Sequence, residues 1–272
     1  MHTDIKLSSQ QLNSTRLLSV IIPVYNEARS IELVIQWVRA TCLAGEIIVV
    51  DDGSTDNTVE RVSKLKSVRG LKLVRHRGNR GKGAAIRTGL DYATGEYLII
   101  QDADLELDPA DYPALLAPLI ANQTNVVYGV RKGDNLRRGP LLFLGVRLLT
   151  LVTNLLYGCH IHDEATGYKV FRLSLLRRIV LECEGFEFCP EITAKVCRLG
   201  ERIYEVPVSY HPRQASGGKK IRATDGIIAL LTLVRYRFQP RRKFDREYEV
   251  EKATVPAPIA DQVKEYRIQL PG

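Results

Sequence analysis

The sequence has no N-terminal leader pattern, because Met1 to Gln11 is polar with no apolar run behind a basic region. It also has no uncharged apolar stretch of the length a bilayer requires, about 20 residues. The longest apolar run, Pro140 to Tyr157, carries Arg147 in mid-run, which argues against a spanning segment. There is no Cys-x-x-Cys pair, and the five cysteines (Cys42, Cys159, Cys183, Cys189, Cys197) are odd in number. That pattern speaks against a disulfide framework and for a reduced, cytoplasmic chain with buried thiols. Internal repeats are absent, which excludes repeat architectures.

What is present is an ordinary globular balance. Hydrophobic residues make up 45% and charged residues 26% of 272 positions, enough for one large α/β domain with appendages. The net charge of +8 is concentrated. Between His211 and Arg246 ten Lys/Arg face only Asp225 and Asp245, a local surplus equal to the whole excess. Such a patch is either a solvated basic face or a site for an anionic partner: nucleic acid, lipid head groups or a phosphate-bearing substrate. The window contains Tyr236 and Phe238 but matches no known nucleic-acid module, so no nucleic-acid partner is expected.

Strands are predicted at Leu18 to Val24, Glu46 to Asp51, Leu71 to Arg75 and Tyr97 to Asp102, with a fifth from Asn125 to Val130. Between the first two, Ile31, Val34, Ile35 and Val38 recur at helical spacing. Further helices are predicted from Ser54 to Leu65 and Ala84 to Tyr92. Continuous apolar strands alternating with helices indicate a mostly parallel sheet covered on both faces. In Pro140 to Tyr157, Arg147, Thr150 and Asn154 fall on one side, so an amphipathic helix is expected there. It either packs on the core, the more common outcome, or lies in a membrane interface. Ile227 to Val234 is a shorter apolar run that leads into a basic, aromatic flank suited to a bilayer surface. From about Asp245 onward there is no periodicity, and a loosely ordered tail is expected.

Chemistry concentrates at strand ends. Gln101-Asp102-Ala103-Asp104-Leu105-Glu106 places two carboxylates one residue apart where a strand opens into a loop. Such a pair can hold one hard divalent cation, Mg²⁺ or Mn²⁺, that also binds phosphates. Asp51-Asp52-Gly53-Ser54 and Pro23-Val24-Tyr25-Asn26-Glu27 end two other strands, and ligands of open parallel sheets bind where such loops gather. Tyr25 can stack on a base and Glu27 can accept hydrogen bonds from one. Asn26, Asp52 and Ser54 are equally good helix caps. Arg77-Gly-Asn-Arg-Gly-Lys-Gly-Ala is not a Walker A, since its glycine spacing is too short and no Ser or Thr follows Lys82. It is either a strand-to-helix turn or a loop that brings Lys82 or Arg80 to a phosphate. His160 and His162, two residues apart, could share a strand face, and His/His/Asp with Asp163 is a known metal-ligand set, but ordinary surface or core histidines are the favoured reading.

Taken in order, VIIPVYNE, VVDDGSTDNT, RGNRGKGAAIRTGL and QDADLELDP resemble the nucleotide-sugar half of family 2 glycosyltransferases of the GT-A fold. Gly129-Val-Arg131, Asp163 to Arg172 and Glu205-Val-Pro-Val extend the resemblance to the dolichyl- and polyprenyl-phosphate mannose or glucose synthase branch, over roughly residues 17 to 235. The resemblance implies a GT-A, Rossmann-like sheet with amphipathic interface helices. It implies that Pro23, Tyr25, Glu27 and Asp52 hold the nucleoside, and that Lys82, Asp102, Ala103 and Asp104 line the nucleotide sugar. Asp102, Asp104 and Glu106 would ligate the metal, and Arg131, with Arg137 or Arg138, an acceptor phosphate. Arg213 and Lys219 fall in the family's mobile donor loop. Where relatives that glycosylate hydroxyls carry a catalytic base, this chain has Phe188 and Cys189. An acceptor phosphate needs no such base, being anionic already. Asp163 or Glu164 could supply a carboxylate in its place, or Asp163 could cap a turn.

The sequence thus predicts an N-terminal extension (1–16), a catalytic domain (17–212), a basic loop and membrane-proximal helix (213–244) and a tail (245–272). The expected activity is inverting, metal-dependent transfer of a hexose from GDP-mannose or UDP-glucose to a polyprenyl phosphate. The enzyme is expected at the cytoplasmic face of an anionic membrane, peripherally attached. The competing expectations are a family 2 enzyme acting on a hydroxyl and a non-catalytic membrane-surface protein on the same scaffold. Donor identity and oligomeric state do not follow from these residues.

Overall fold

Strands β1 (Leu18–Val24), β2 (Ala44–Asp51), β3 (Leu71–His76) and β4 (Tyr97–Ile100) form where Val, Ile and Leu are concentrated. β1, β2 and β4 are buried on both faces, which is why their sequences run largely apolar without alternating, while β3 keeps Lys72 and Arg75 half-buried. The computed structural model describes residues 17–65, 67–131, 140–212, 223–246 and 263–266. In it the four strands pair in parallel in the order β3-β2-β1-β4.

Helices α1 (Ile31–Ala40), α2 (Thr58–Ser63) and α3 (Lys82–Tyr92) make the crossovers. Val20 and Ile22 face one core layer with Ile31, Val34, Ile35 and Val38 of α1. Ile21 faces the other, with Ala85 and Ile86 of α3. The period of two along β1 therefore divides the core into layers above and below the sheet.

The second half comprises α4 (Tyr112–Ile120), β5 (Val126–Arg131), α5 (Pro140–Tyr157), β6 (Lys169–Arg172), α6 (Leu173–Arg178), α7 (Phe188–Arg198), β7 (Ile203–Val208) and α8 (Ala223–Phe238). β6 runs antiparallel between β4 and β5, and β7 pairs parallel with β5. With β8 (Val263–Tyr266) the sheet reads β7-β5-β6-β4-β1-β2-β3-β8. This is an α/β GT-A fold, mostly parallel, with helices on both faces.

One expectation is corrected. The tail is not wholly without structure: β8 pairs antiparallel with β3, covering hydrogen-bonding groups that would otherwise form a free edge. Its beginning is also tied down, because Arg178 grips Asp245 at 2.5 and 2.7 Å. Four strand residues in an aperiodic stretch give no pattern to read. In α5, Thr150 and Thr153 are buried and Asn154 half-buried beside Leu149, while Leu144, Leu148, Leu151 and Leu155 face out.

Candidate active site

Because β1 to β4 are parallel, their carboxyl ends open at one edge of the sheet. The loops that begin at Tyr25, Asp52, Arg77 and Gln101 gather there. The first two brace each other. Asn26, at φ 54°, accepts from the Thr55 N–H at 2.8 Å, and its own N–H donates to Ser54 Oγ at 2.9 Å. The Glu27 N–H donates to Thr58 Oγ1 at 3.0 Å. Pro23, Tyr25 and Glu27 remain half-buried on this rim.

Asp51 and Asp52 are both buried. Asp51 accepts from the Ser54 N–H at 3.3 Å and pairs with Arg75 at 3.2 Å, and burial holds its pKa above the ordinary carboxylate value. Asp52 accepts from the Arg80 and Gly81 N–H groups at 2.9 and 2.7 Å and bonds His76 Nδ1 at 2.7 Å. The carboxylate that the family pattern assigns to the nucleoside is therefore engaged by the glycine-rich turn.

That turn is not a phosphate cradle of backbone amides. The N–H groups of Gly83 and Ala84 donate to Gly185 O and Glu184 O at 3.2 and 3.0 Å. A Cβ on Gly83 would lie 2.5 Å from Cys183 O, so glycine is required for this approach. With its amides occupied, the turn delivers a side chain: Lys82 Nζ lies 2.5 Å from Asp102 Oδ1. Burial disfavours the ammonium, but Asp102, with Asp104 behind it, outweighs this and raises the Lys82 pKa.

Asp102 is held from every side. Gln101, fully buried, accepts from the Tyr112 and Tyr168 hydroxyls at 2.7 and 2.8 Å, and its amide donates to Asp102 O at 3.0 Å. Ser30 Oγ donates to Ala103 O at 2.6 Å, tying the start of α1 to the same loop. The backbone passes close to this carboxylate at Gly167, where a Cβ would sit 2.5 Å from Asp102 Oδ2 and make that side chain shift. Asp104 accepts from the Glu106 N–H at 3.2 Å. Glu106 itself accepts from the Tyr210 hydroxyl at 3.0 Å. Among the described residues no group of three or more His, Cys, Asp or Glu is gathered as a metal site. Asp102, Asp104 and Glu106, the expected ligands, follow one another along this loop without being gathered as a group of three. The positive φ of Leu105, 63°, breaks the alternation that would have kept Glu106 in line.

Across the sheet, Arg131 ends β5. Asp163 grips it through Nε and Nη2 at 2.6 and 2.5 Å, and both residues are buried. This uses two of the five N–H donors of a guanidinium. The Tyr210 ring lies 5.6 Å from the Arg131 Cζ. Burial opposes the charge on Arg131, but Asp163 more than offsets it and raises the pKa. The turn carrying Asp163 leans on Glu205, which accepts from the His162 N–H at 2.7 Å and bonds its Nδ1 at 2.6 Å. His162 is therefore a hydrogen-bonding partner of Glu205. Glu164 is fully buried, with Oε2 unpartnered, and burial raises its pKa. Cys189, beside Lys169 and Lys82 in charge terms, has its thiol pushed up by burial. Arg137, Arg138, Arg213 and Lys219 lie outside the described residues.

Several residues of this site escaped the sequence reading. Gln101 stood inside a recognised motif without a role. Tyr168 and Glu205 likewise stood in recognised motifs without a role, and His76 and Tyr210 had no local signal; each acts across the fold on a residue far away in sequence.

Comparison with known proteins agrees with this architecture. Residues 19–180 match the family model Glycosyl transferase family 2. A dodecaprenyl-phosphate galacturonate synthase of Rhizobium johnstonii is 30% identical over 242 residues, covering 84% of this chain and 70% of that protein. A dolichyl-phosphate beta-glucosyltransferase of Saccharomyces cerevisiae is 29% identical over 255 residues, covering 81% and 74%. Glucosyl-3-phosphoglycerate synthase of Mycobacterium tuberculosis, solved with uridine diphosphate, superposes with TM-score 0.70 at 22% identity, over 88% of this chain and 87% of that one. The same enzyme solved with Mn²⁺, uridine diphosphate and glucosyl-3-phosphoglycerate gives 0.68 over 88% of each chain at 22% identity. The chain belongs to glycosyl transferase family 2 and is a glycosyltransferase that matches the polyprenyl-phosphate sugar synthase branch.

Proposed function

We propose that the enzyme transfers a hexose from a nucleotide sugar, with GDP-mannose and UDP-glucose the leading donors, to a polyprenyl phosphate at the cytoplasmic face of a membrane. An acceptor phosphate oxygen attacks the anomeric carbon, the bond from that carbon to the nucleoside diphosphate breaks, and configuration inverts. Two relatives named for lipid-phosphate acceptors, and a fold neighbour solved with a uridine nucleotide, support this reading.

One observation carries the choice of acceptor. A hydroxyl acceptor needs a carboxylate free to take its proton. The two offered by the sequence are withdrawn: Asp163 is bidentate on Arg131, and Glu164 is fully buried with its pKa raised. Where hydroxyl-glycosylating relatives carry their base stands Cys189, a thiol that burial keeps neutral. An acceptor phosphate needs positioning and charge stabilisation instead.

In this reading Asp163 is a positioning residue that fixes the Arg131 fork for the acceptor phosphate, with Arg137 and Arg138 as further donors. Tyr25, Glu27 and Pro23 line the nucleoside, and Arg213 and Lys219 close over the donor. Asp52 acts through the turn that presents Lys82 to the diphosphate. Asp102 and Asp104 would hold Mg²⁺ or Mn²⁺. Their hard oxygens suit either ion, and glycine at 167 leaves room beside the Asp102 carboxylate. When bound, the cation supplies neutralising charge to the departing diphosphate. Lys82, already on Asp102, adds a second positive charge to the same place.

The test sets a short prenyl phosphate against the matching prenol with the same nucleotide sugars. Transfer to the phosphate alone is expected; transfer to the alcohol at a comparable rate would assign the enzyme to the hydroxyl class.

A further inference from the structure

Helix α7 carries two charges that the site described above does not use. Glu191 and Lys195, one turn apart, are both fully buried and pair at 2.5 Å. The desolvation of two ions can exceed their mutual attraction, so a helix that only had to pack would carry apolar residues here. α7 has those as well: Phe188, Ile192 and Val196 fill the core layer shared with Ile86 of α3. The charged pair instead serves residues 180–185, a strap without helix or strand that leads from α6 to α7.

The strap has no ladder to satisfy its backbone, and the pair takes that place. Glu191 Oε1 and Oε2 accept from the Glu182 and Cys183 N–H groups at 2.7 and 2.9 Å, and Lys195 Nζ donates to Val180 O at 2.6 Å. Tyr236 closes over the pair: its ring lies 4.2 Å from Lys195 Nζ, and its hydroxyl donates to Glu182 Oε2 at 3.0 Å. The other side of the strap receives the start of α3. Gly83 and Ala84 donate their N–H groups to Gly185 O and Glu184 O, and Arg87 Nη1 donates to Leu181 O and Glu182 O at 3.3 and 2.9 Å. Lys82 stands at the head of that helix, on Asp102.

We infer that Glu191, with Lys195 as its counter-charge, is a positioning residue for the donor diphosphate. It fixes the strap, the strap fixes the glycine-rich turn, and the turn sets the Lys82 ammonium. The inference rests on the reading of Lys82 given above. The turn is clamped between two buried carboxylates. Asp52 takes the Arg80 and Gly81 N–H groups directly. Glu191, through the strap, holds the Gly83 and Ala84 N–H groups. Lys82 lies between these two anchored pairs. A lysine has a long flexible stem, so fixing its backbone on both sides removes freedom that would otherwise be lost on meeting a phosphate. The fit is close enough to transmit a shift of the strap, because a Cβ on Gly81 or Gly83 would strike Glu184 O or Cys183 O.

The experiment measures binding of GDP and UDP to the full chain by calorimetry in the presence of Mn²⁺, with thermal melts alongside. Glu191→Leu with Lys195→Met removes both charges at similar volume, so no lone ion is left buried. This variant should melt cooperatively and bind the better of the two nucleotides about tenfold more weakly. Donor KM should rise to match, and the KM for a short prenyl phosphate should not. Glu191→Gln with Lys195→Met keeps one acceptor oxygen and should recover part of the affinity. Lys82→Ala should also weaken nucleotide binding, and adding the charge-free pair to it should weaken binding no further, because the pair acts through Lys82. Native affinity in the charge-free variant, an additive loss on top of Lys82→Ala, or an equal rise in both KM values overturns the inference. If the charge-free variant does not melt cooperatively, Arg87→Met loosens the same strap from a half-buried side chain. Weaker nucleotide binding that vanishes in the Lys82→Ala background is then expected, and unchanged binding overturns the inference. Lys82→Ala that binds nucleotide as the native protein does contradicts the reading of Lys82 itself, and the inference falls with it.

Discussion

At the scale of single residues, the site is a set of charges whose partners lie far off in sequence. Arg131 and Asp163 are the sharpest case. Both were marked by the family pattern, but their pairing brings together positions on β5 and on the turn before β6 that nothing local connects. Arg131→Ala leaves Asp163 buried without its counter-charge, a change of about 3–5 kcal/mol in stability for a buried pair. Denaturant unfolding should register that loss, and the double variant with Asp163→Ala should recover much of it while acceptor transfer stays lost. Recovery of transfer in the double variant would contradict the role given to Arg131. Glu164 offers a pH test. Its folded pKa is raised by burial, so the folded state holds the proton more tightly than the unfolded chain. That contribution is full below the ordinary glutamate pKa and is lost as pH rises through the raised one. The melting temperature of Glu164→Gln should therefore gain on the native protein as pH climbs from 4 towards neutrality. Parallel curves would show that the buried carboxylate does not titrate in this range.

At the scale of elements, legibility followed hydrophobic period. β1 to β5 and α1 to α3 stand within a few residues of where the apolar runs predicted them, since a doubly covered strand needs an unbroken run. β6 and β8 did not announce themselves, because four residues cannot display a period and their pairing is set by neighbours β4, β5 and β3. The spacing in α5 was visible, but its orientation was not. Polar residues on one side of a helix normally face water, and here Thr150 and Asn154 instead hold the turn that carries Asp163. The glycine-rich turn was ambiguous for a similar reason: its glycines serve contact with residues 183–185, which sequence spacing cannot reveal. Gly83→Ala tests that assignment. The added methyl meets Cys183 O at 2.5 Å, so the start of α3 must move and Lys82 with it. A loss of about 1–3 kcal/mol in stability is expected, as for overpacking, together with a raised KM for the donor. Unchanged stability and donor KM would mean that the turn has room the contact denies.

At the scale of the whole molecule, the separation of functions follows from topology. The parallel half gathers donor-side carboxylates at one sheet edge, and the half beyond β4 brings Arg131, Asp163 and two helices with outward apolar stripes. The positive surplus of the chain lies in the segment around α8. Fold and family were readable because four strand-end motifs recur in order. The acceptor class was an expectation of the resemblance and of the residues at 188 and 189, and the engaged carboxylates Asp163 and Glu164 support it. The most direct measurement is transfer by purified enzyme from a panel of nucleotide sugars to a short prenyl phosphate, with Mn²⁺ or Mg²⁺ and with Asp104→Ala alongside. The account predicts a metal-dependent sugar–phosphate–prenyl product that falls about 100-fold or more in the variant. A product formed equally well by Asp104→Ala, or one formed only on the prenol, would contradict it.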